Sequence, residues 1–156
     1  MDRGPDDAAL VQTFYEGWRR LAAVIAPLEV EPDDLVQEAL ARTLQKRSLF
    51  ELDDPDRYIR VVMVRLAANE RRHLGVTRRW RQQQRDTSSV RDAYPSDVAD
   101  LCRLSPKVRA VLFLVEVEGW QFAEVAAVLG CSEEAARARA ARGRHELRRA
   151  LIVEER

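Results

Sequence analysis

The 156-residue chain is poor in the residues that staple or metallate small proteins. It has only two cysteines, Cys102 and Cys131, and two histidines, His73 and His145. Two thiols without CxxC or Cys/His spacing give neither a disulfide framework nor a zinc site, so no metal and no cofactor is expected. Each cysteine is read as a small buried hydrophobe in a reducing, cytoplasmic compartment. Long apolar runs are missing too. The longest, VLFLV at 111–115, stops at Glu116, far short of the 18 or so residues a membrane span needs. The first ten residues, MDRGPDDAAL, are acidic and lack an apolar centre, so they do not read as a signal peptide. No glycine-rich phosphate loop and no Ser/His/Asp grouping occurs, so no enzyme is expected.

A net charge is also lacking, with 26 basic and 26 acidic residues, but the charges are sorted along the chain. Residues 1–56 hold 13 acids against 6 bases, and residues 57–85 hold 9 arginines against the single acid Glu70. Residues 86–134 return to 9 acids against 4 bases, and residues 135–156 hold 7 arginines against 3 acids. Such alternating fields suit a protein that holds a polyanion at two places and offers acidic faces to a basic partner.

Nearly all of the chain reads as helix. Leu10, Phe14, Trp18, Leu21 and Ile25 form a buried stripe at three- and four-residue spacing over 6–26, closed by Pro27. A second helix opens at Pro32 with Asp33 and Asp34 in its first turn, where acids suit the helix dipole, and runs to Lys46 and Arg47. After the loop SLFELDD, Asp54 caps a third helix that has Pro55 at its first position and an arginine-rich exit. Residues 75–100 hold few aliphatic side chains; their first part can prolong the third helix, and the rest reads as a linker. The second half restarts with Ser105 as N-cap and Pro106, and stops at Gly119. QFAEVAAVLG, a short helix ended by Gly130, is followed by Ser132 as the N-cap of an alanine- and arginine-rich helix. Helix, glycine turn, helix is the helix-turn-helix pattern, whose second helix enters the major groove of DNA. On that helix Ala136, Ala140, Leu147 and Leu151 make the inward stripe. Arg139, Arg142 and Arg149 are expected to point away, with Arg137, Arg144 and Arg148 on the flank. The expected fold is all-α: a three-helix bundle at 6–84, a linker at 85–100 and a helix-turn-helix domain at 101–153.

Three blocks resemble the extracytoplasmic-function (ECF) group of bacterial sigma factors, in the sigma-70 family. PDDLVQEALART at 32–43 is similar to the family's polymerase-docking helix. DPDRYIRVVMVRLAANERRH at 54–73 is similar to the helix that recognises and melts the minus-ten element. Residues 104–151 resemble region four, the helix-turn-helix that reads the minus-thirty-five element. The DPDxYxRxVxVxLAxxERR pattern and the GCS turn are closest to the short SigE-like actinobacterial group.

The resemblance implies a non-enzymatic initiation factor that binds core RNA polymerase, at the β′ clamp and β flap, and promoter DNA, with a possible anti-sigma factor as inhibitor. It implies clamp contacts from Asp34, Leu35, Gln37 and Glu38, and minus-ten contacts from Phe50, Arg65, Asn69, Arg71, Arg72, Arg78, Arg79 and Trp80. It implies minus-thirty-five contacts from Ser132, Arg137, Arg139 and Arg142. Phe50 could stack on a flipped base or be a buried plug, and Trp80 among its arginines could face a melted strand or close a packed helix end. Arg65 stands where the family has Asn, and Asn69 where it often has Asp. Arg favours guanine or phosphate over the paired donor and acceptor of Asn, which shifts the expected minus-ten preference. Glu133 and Glu134 replace small or β-branched residues at the end nearest DNA. Two rival readings are a helix-turn-helix regulator with an unrelated sensing module, and a sigma-like adaptor that no longer initiates.

Overall fold

A computed structural model describes residues 5–81 and 103–154, with side chains described for 7–69, 103–150 and 152. These residues form six α-helices and no strand, an all-α architecture. The helices are α1 (Pro5–Ile25), α2 (Pro32–Leu44), α3 (Pro55–Arg81), α4 (Pro106–Leu112), α5 (Phe122–Leu129) and α6 (Glu133–Glu154). A 3₁₀ turn, Leu49–Glu51, lies between α2 and α3, and a π turn, Phe113–Val117, extends α4. The expected boundary between the halves, within 85–100, lies outside the described residues, as does Cys102.

The punctuation works as its chemistry requires. Asp54 accepts from the backbone N–H of Arg57 at 3.0 Å, Ser105 caps α4 through Val108 N–H, and Ser132 caps α6 through Ala135 N–H at 3.1 Å. Each side-chain oxygen satisfies a donor that the first helical turn leaves open. The second helix ends at Leu44, before Lys46 and Arg47, because Gln45 and Lys46 turn out of the helix to start the loop. The third helix runs through residue 73 as far as Arg81. Gly119 and Gly130 both take left-handed backbone angles, φ 72° and 64°, which only glycine adopts at little cost.

Helices α1, α2 and α3 close on Trp18, Leu21, Ile25, Val36, Leu49, Ile59 and Met63, all fully buried. Helices α4, α5 and α6 close on Val111, Leu114, Val125, Ala136 and Ala140, which are equally buried. The two halves pack on each other through α1 against α4 and through α3 against α4 and α5, and the apolar cluster is continuous across them. Polar groups cross the same joint. Arg109, in α4, donates from Nη2 to the carbonyl of Ile25, and Arg60, in α3, donates from Nη1 to Glu118 at 3.1 Å.

Gly143 completes the inward stripe of α6 between Ala140 and Leu147. A Cβ there would lie 2.6 Å from Val108 Cγ1 and 2.9 Å from Leu112 Cδ1. Gly143→Ala gains about 1 kcal/mol of helix propensity. The stiff β-branched Val108 cannot swing aside within its helix, so overpacking outweighs that gain. The expected net loss is ~1–2 kcal/mol, seen as a melting temperature several degrees lower; a rise in melting temperature would show that α4 and α6 are not in this close contact.

Candidate functional site

Three surfaces carry the residues singled out from the sequence. The first is the outer face of α2. Asp34, Gln37 and Glu38 are exposed there, and Glu38 accepts from Arg42 Nε at 2.6 Å one turn along. Leu35 departs from its expected role: it is 3% exposed, packed inward with Val36 and Ala39, and has no surface to offer a partner. The start of α2 is held to α1 by Asp33, which accepts from Tyr15 Oη at 2.7 Å and Arg19 Nε at 3.1 Å. The hydrogen bond to the Asp33 carboxylate, followed by burial, pushes the Tyr15 hydroxyl above its usual pKa, so the donor stays protonated. An exposed Asp34–Gln37–Glu38 face therefore projects from a fixed helix start.

The second surface runs from the loop before α3 onto α3 itself. Leu49 is fully buried, whereas its neighbour Phe50 is 68% exposed, which removes the buried-plug reading. Ser48 turns the chain by accepting from Phe50 N–H, and Glu51 N–H closes the turn on the Ser48 carbonyl. Just before it, the Arg47 guanidinium lies over the Tyr58 ring, 5.8 Å from its centroid. Tyr58, Arg65 and Asn69 are seven and four residues apart, which places them on one face of α3. Arg65 and Asn69 are exposed. Arg71, Arg72, Arg78, Arg79 and Trp80 continue the α3 backbone, but their side chains lie outside the described residues. Lys46, Arg47 and Tyr58 join this surface without having been named as DNA contacts; helical spacing puts Tyr58 in the interior of α3, yet it is only half-buried, and the Lys-Arg pair three residues before an exposed aromatic was the available signal. An exposed ring beside cationic side chains can stack on a nucleobase while the charges hold phosphate.

One arginine of the basic block goes elsewhere. Arg60 is 5% exposed and its guanidinium serves Asp56 at 3.0 Å, Glu118 at 3.1 Å and the face of Trp120 at 5.0 Å. It belongs to the joint between the halves.

The third surface is the helix-turn-helix itself. The side chain of Glu124 closes back on the N–H of Gln121 at 3.0 Å to start α5, and Gly130 turns the chain so that Cys131 N–H reaches the carbonyl of Ala126. Ser132 is exposed and serves as the α6 cap. Arg137 and Arg142 are exposed as base contacts would have to be. Arg137 donates to Glu133 at 2.6 Å and lies over the Phe122 ring at 4.7 Å, which fixes its stem across the two helices. Arg139 departs from its expected outward direction: it is half-buried, with Nη1 buried and without a hydrogen-bond partner. It follows the buried Ala136 by three residues, within about 60° around the helix, and so belongs to the flank of the stripe. Arg144, farther along, pairs with Glu116 and ties α6 to the π turn. Cys131 is a free, half-buried thiol packed against the core.

Residues 101–147 match the family model described as Sigma-70, region 4. The match covers α4, the π turn, α5, the Gly130 turn and α6 as far as residue 147. The matched segment, 47 of the 156 residues, is similar to a DNA-binding region of sigma-70 factors. No curated protein matched the chain. Among the described residues no helix is long and apolar enough to cross a membrane.

Proposed function

We propose that this protein is a sigma factor of the ECF type that brings core RNA polymerase to a two-element promoter. The observation that carries the reading is the helix-turn-helix at 122–154, capped at both starts and turned at Gly130, which lies as far as residue 147 inside the segment matched to sigma region four. Its arginine-bearing second helix reads the minus-thirty-five element. The loop with Phe50 and the α3 face with Arg65 and Asn69 engage the minus-ten strand. The exposed Asp34, Gln37 and Glu38 dock on the β′ clamp, while the C-terminal half meets the β flap. No step of this role is catalytic, and the protein works in the cytoplasm beside its polymerase. The DPDxYxRxVxVxLAxxERR pattern supports the finer placement in the short SigE-like group, and an anti-sigma inhibitor would compete for these same surfaces. The deciding experiment is run-off transcription with purified core polymerase and genomic DNA. Discrete promoter-dependent transcripts are expected only when the protein is added; none, with intact core binding, would favour an adaptor instead.

The α2 face gives a narrower test. Gln37→Ala with Glu38→Ala should weaken core binding about five- to thirtyfold, as two exposed polar contacts worth ~0.5–1 kcal/mol each are lost. Thermal stability should hardly move, since both side chains are exposed. Unchanged affinity for core polymerase would remove α2 from the interface.

A further inference from the structure

The Phe50 turn is fastened from a distance. Asp7, in the first turn of α1, is 8% exposed, and its Oδ1 accepts from Ser48 Oγ at 2.6 Å and from Phe50 N–H at 3.2 Å. Ser48 Oγ in turn accepts from the same Phe50 N–H at 3.2 Å. A carboxylate this buried carries a desolvation cost, and it is held here by charge-assisted hydrogen bonds to a loop 41 and 43 residues away. An apolar contact could have pinned the loop down, and buried Leu49 already does so. The carboxylate adds direction. It fixes the backbone N–H of the one residue in the turn whose large apolar side chain points outward.

We infer that Asp7 is a positioning residue that holds the Phe50 ring ready to receive an unpaired nucleobase. The inference rests on the proposed engagement of a melted strand by this loop. Its physical content is preorganisation: a turn that is already formed does not lose conformational freedom when a base stacks on it, so stacking keeps more of its gross gain. Lys46 and Arg47, two and one residues before Ser48, supply attraction for the flanking phosphates. The partner is therefore single-stranded nucleic acid. The ring reads the presence of an unpaired base, because every base has a face to stack.

The test uses the full chain, free and assembled with core polymerase, and a short single-stranded DNA carrying one 2-aminopurine in four flanking-base versions. Stacking on Phe50 is read as fluorescence quenching and as affinity. Asp7→Ala and Ser48→Ala should each weaken binding, Asp7→Ala on the order of tenfold, and Asp7→Asn, which keeps an acceptor oxygen, should recover part of it. In a Phe50→Ala background the Asp7 effect should vanish, and binding of duplex DNA should be unchanged throughout. An equal loss from Asp7→Ala with or without Phe50, or an equal fall in duplex binding, would show that the carboxylate only holds the fold together. If Phe50→Ala itself leaves single-strand binding intact while run-off transcription persists, the inference fails and the sigma function stands. If run-off transcription fails but quenching depends on Phe50 and Asp7 as described, the sigma function fails and the positioning role stands. Should Asp7→Ala not fold, Ser48→Ala decides alone through the same comparison with Phe50→Ala.

Discussion

Replacing Arg60 by Met should cost about 3 kcal/mol of unfolding free energy, because it strands buried acids that the guanidinium now pairs. The side chain is 6% exposed and stands between Asp56 and Glu118, themselves 24% and 18% exposed. Its guanidinium bonds to both carboxylates and lies over the Trp120 ring. Removing it leaves two largely buried acids without their cation, of which, among the described residues, only Asp56 keeps a second donor, Trp18 Nε1 at 2.8 Å. Arg60→Lys should rescue little, because an ammonium cannot bridge two carboxylates and stack on an indole at once. Glu118→Gln in the Arg60→Met background should restore part of the loss, since the stranded charge has gone. Because Glu118 and Trp120 come from the C-terminal half, the packing of α3 against α4 and α5 should loosen along with global stability. Urea unfolding of the four proteins checks the series; a loss below about 0.5 kcal/mol for Arg60→Met would mean the joint does not depend on this ion pair.

Arg60 also marks where reading the sequence stops short. Local chemistry was legible: Asp54, Ser105 and Ser132 were expected as caps, Pro32, Pro55 and Pro106 as helix openings, and Gly130 as the turn, and each acts within four residues of its own position. Periodicity alone indicated the buried Trp18, Leu21 and Ile25 of α1 and Ala136 and Ala140 of α6; Leu10, Phe14 and Leu147 are half-buried, and the side chain of Leu151 lies outside the described residues. Arg60 sat in a run of arginines whose common expectation was a basic surface, and its partner Glu118 is 58 residues away. Gly17 lets it in: a Cβ there would meet Arg60 Nη2 at 3.0 Å. Nothing local in either stretch announces that approach. The same holds for Asp7 with Ser48, and for Gly143, whose neighbours Val108 and Leu112 belong to another helix. Leu35 and Arg139 erred in the opposite sense. The partner role of Leu35 came from the resemblance, whereas helical spacing already puts it inward with Ala39; the outward direction of Arg139 came from helical spacing, and it fails because α4 and α5 both pack against α6.

On the proposed reading of α6, Arg137→Ala should weaken binding to the cognate minus-thirty-five element by about 1–3 kcal/mol and relax preference at one base pair. Arg137 is exposed in the first turns of the helix, the part that goes deepest into a major groove. The Phe122 ring beneath its guanidinium restricts the stem and lowers the cost of presenting the two parallel N–H groups that guanine accepts. Glu133 competes for those groups at 2.6 Å, and both its charge and that of Glu134 oppose the phosphates. Glu133→Ala should therefore tighten binding to cognate and scrambled duplexes alike, raising affinity while lowering discrimination. Arg149→Ala, three turns farther from the helix start, should cost less than Arg137→Ala and cost it equally on every sequence, as loss of a phosphate contact does. The salt dependence separates the two classes further. Arg149→Ala should flatten the fall of affinity with ionic strength by about one unit of logarithmic slope if it neutralises a phosphate. Arg139, with Nη1 buried on the flank of the stripe, should follow neither pattern and instead lower thermal stability when replaced by Ala, through lost packing of its stem. Competition binding by the assembled polymerase on cognate and scrambled elements at two salt concentrations measures the Arg137, Glu133 and Arg149 variants, and thermal unfolding measures Arg139→Ala. Equal, small losses for Arg137 and Arg149 on both sequences would leave α6 a basic surface that holds DNA without reading it.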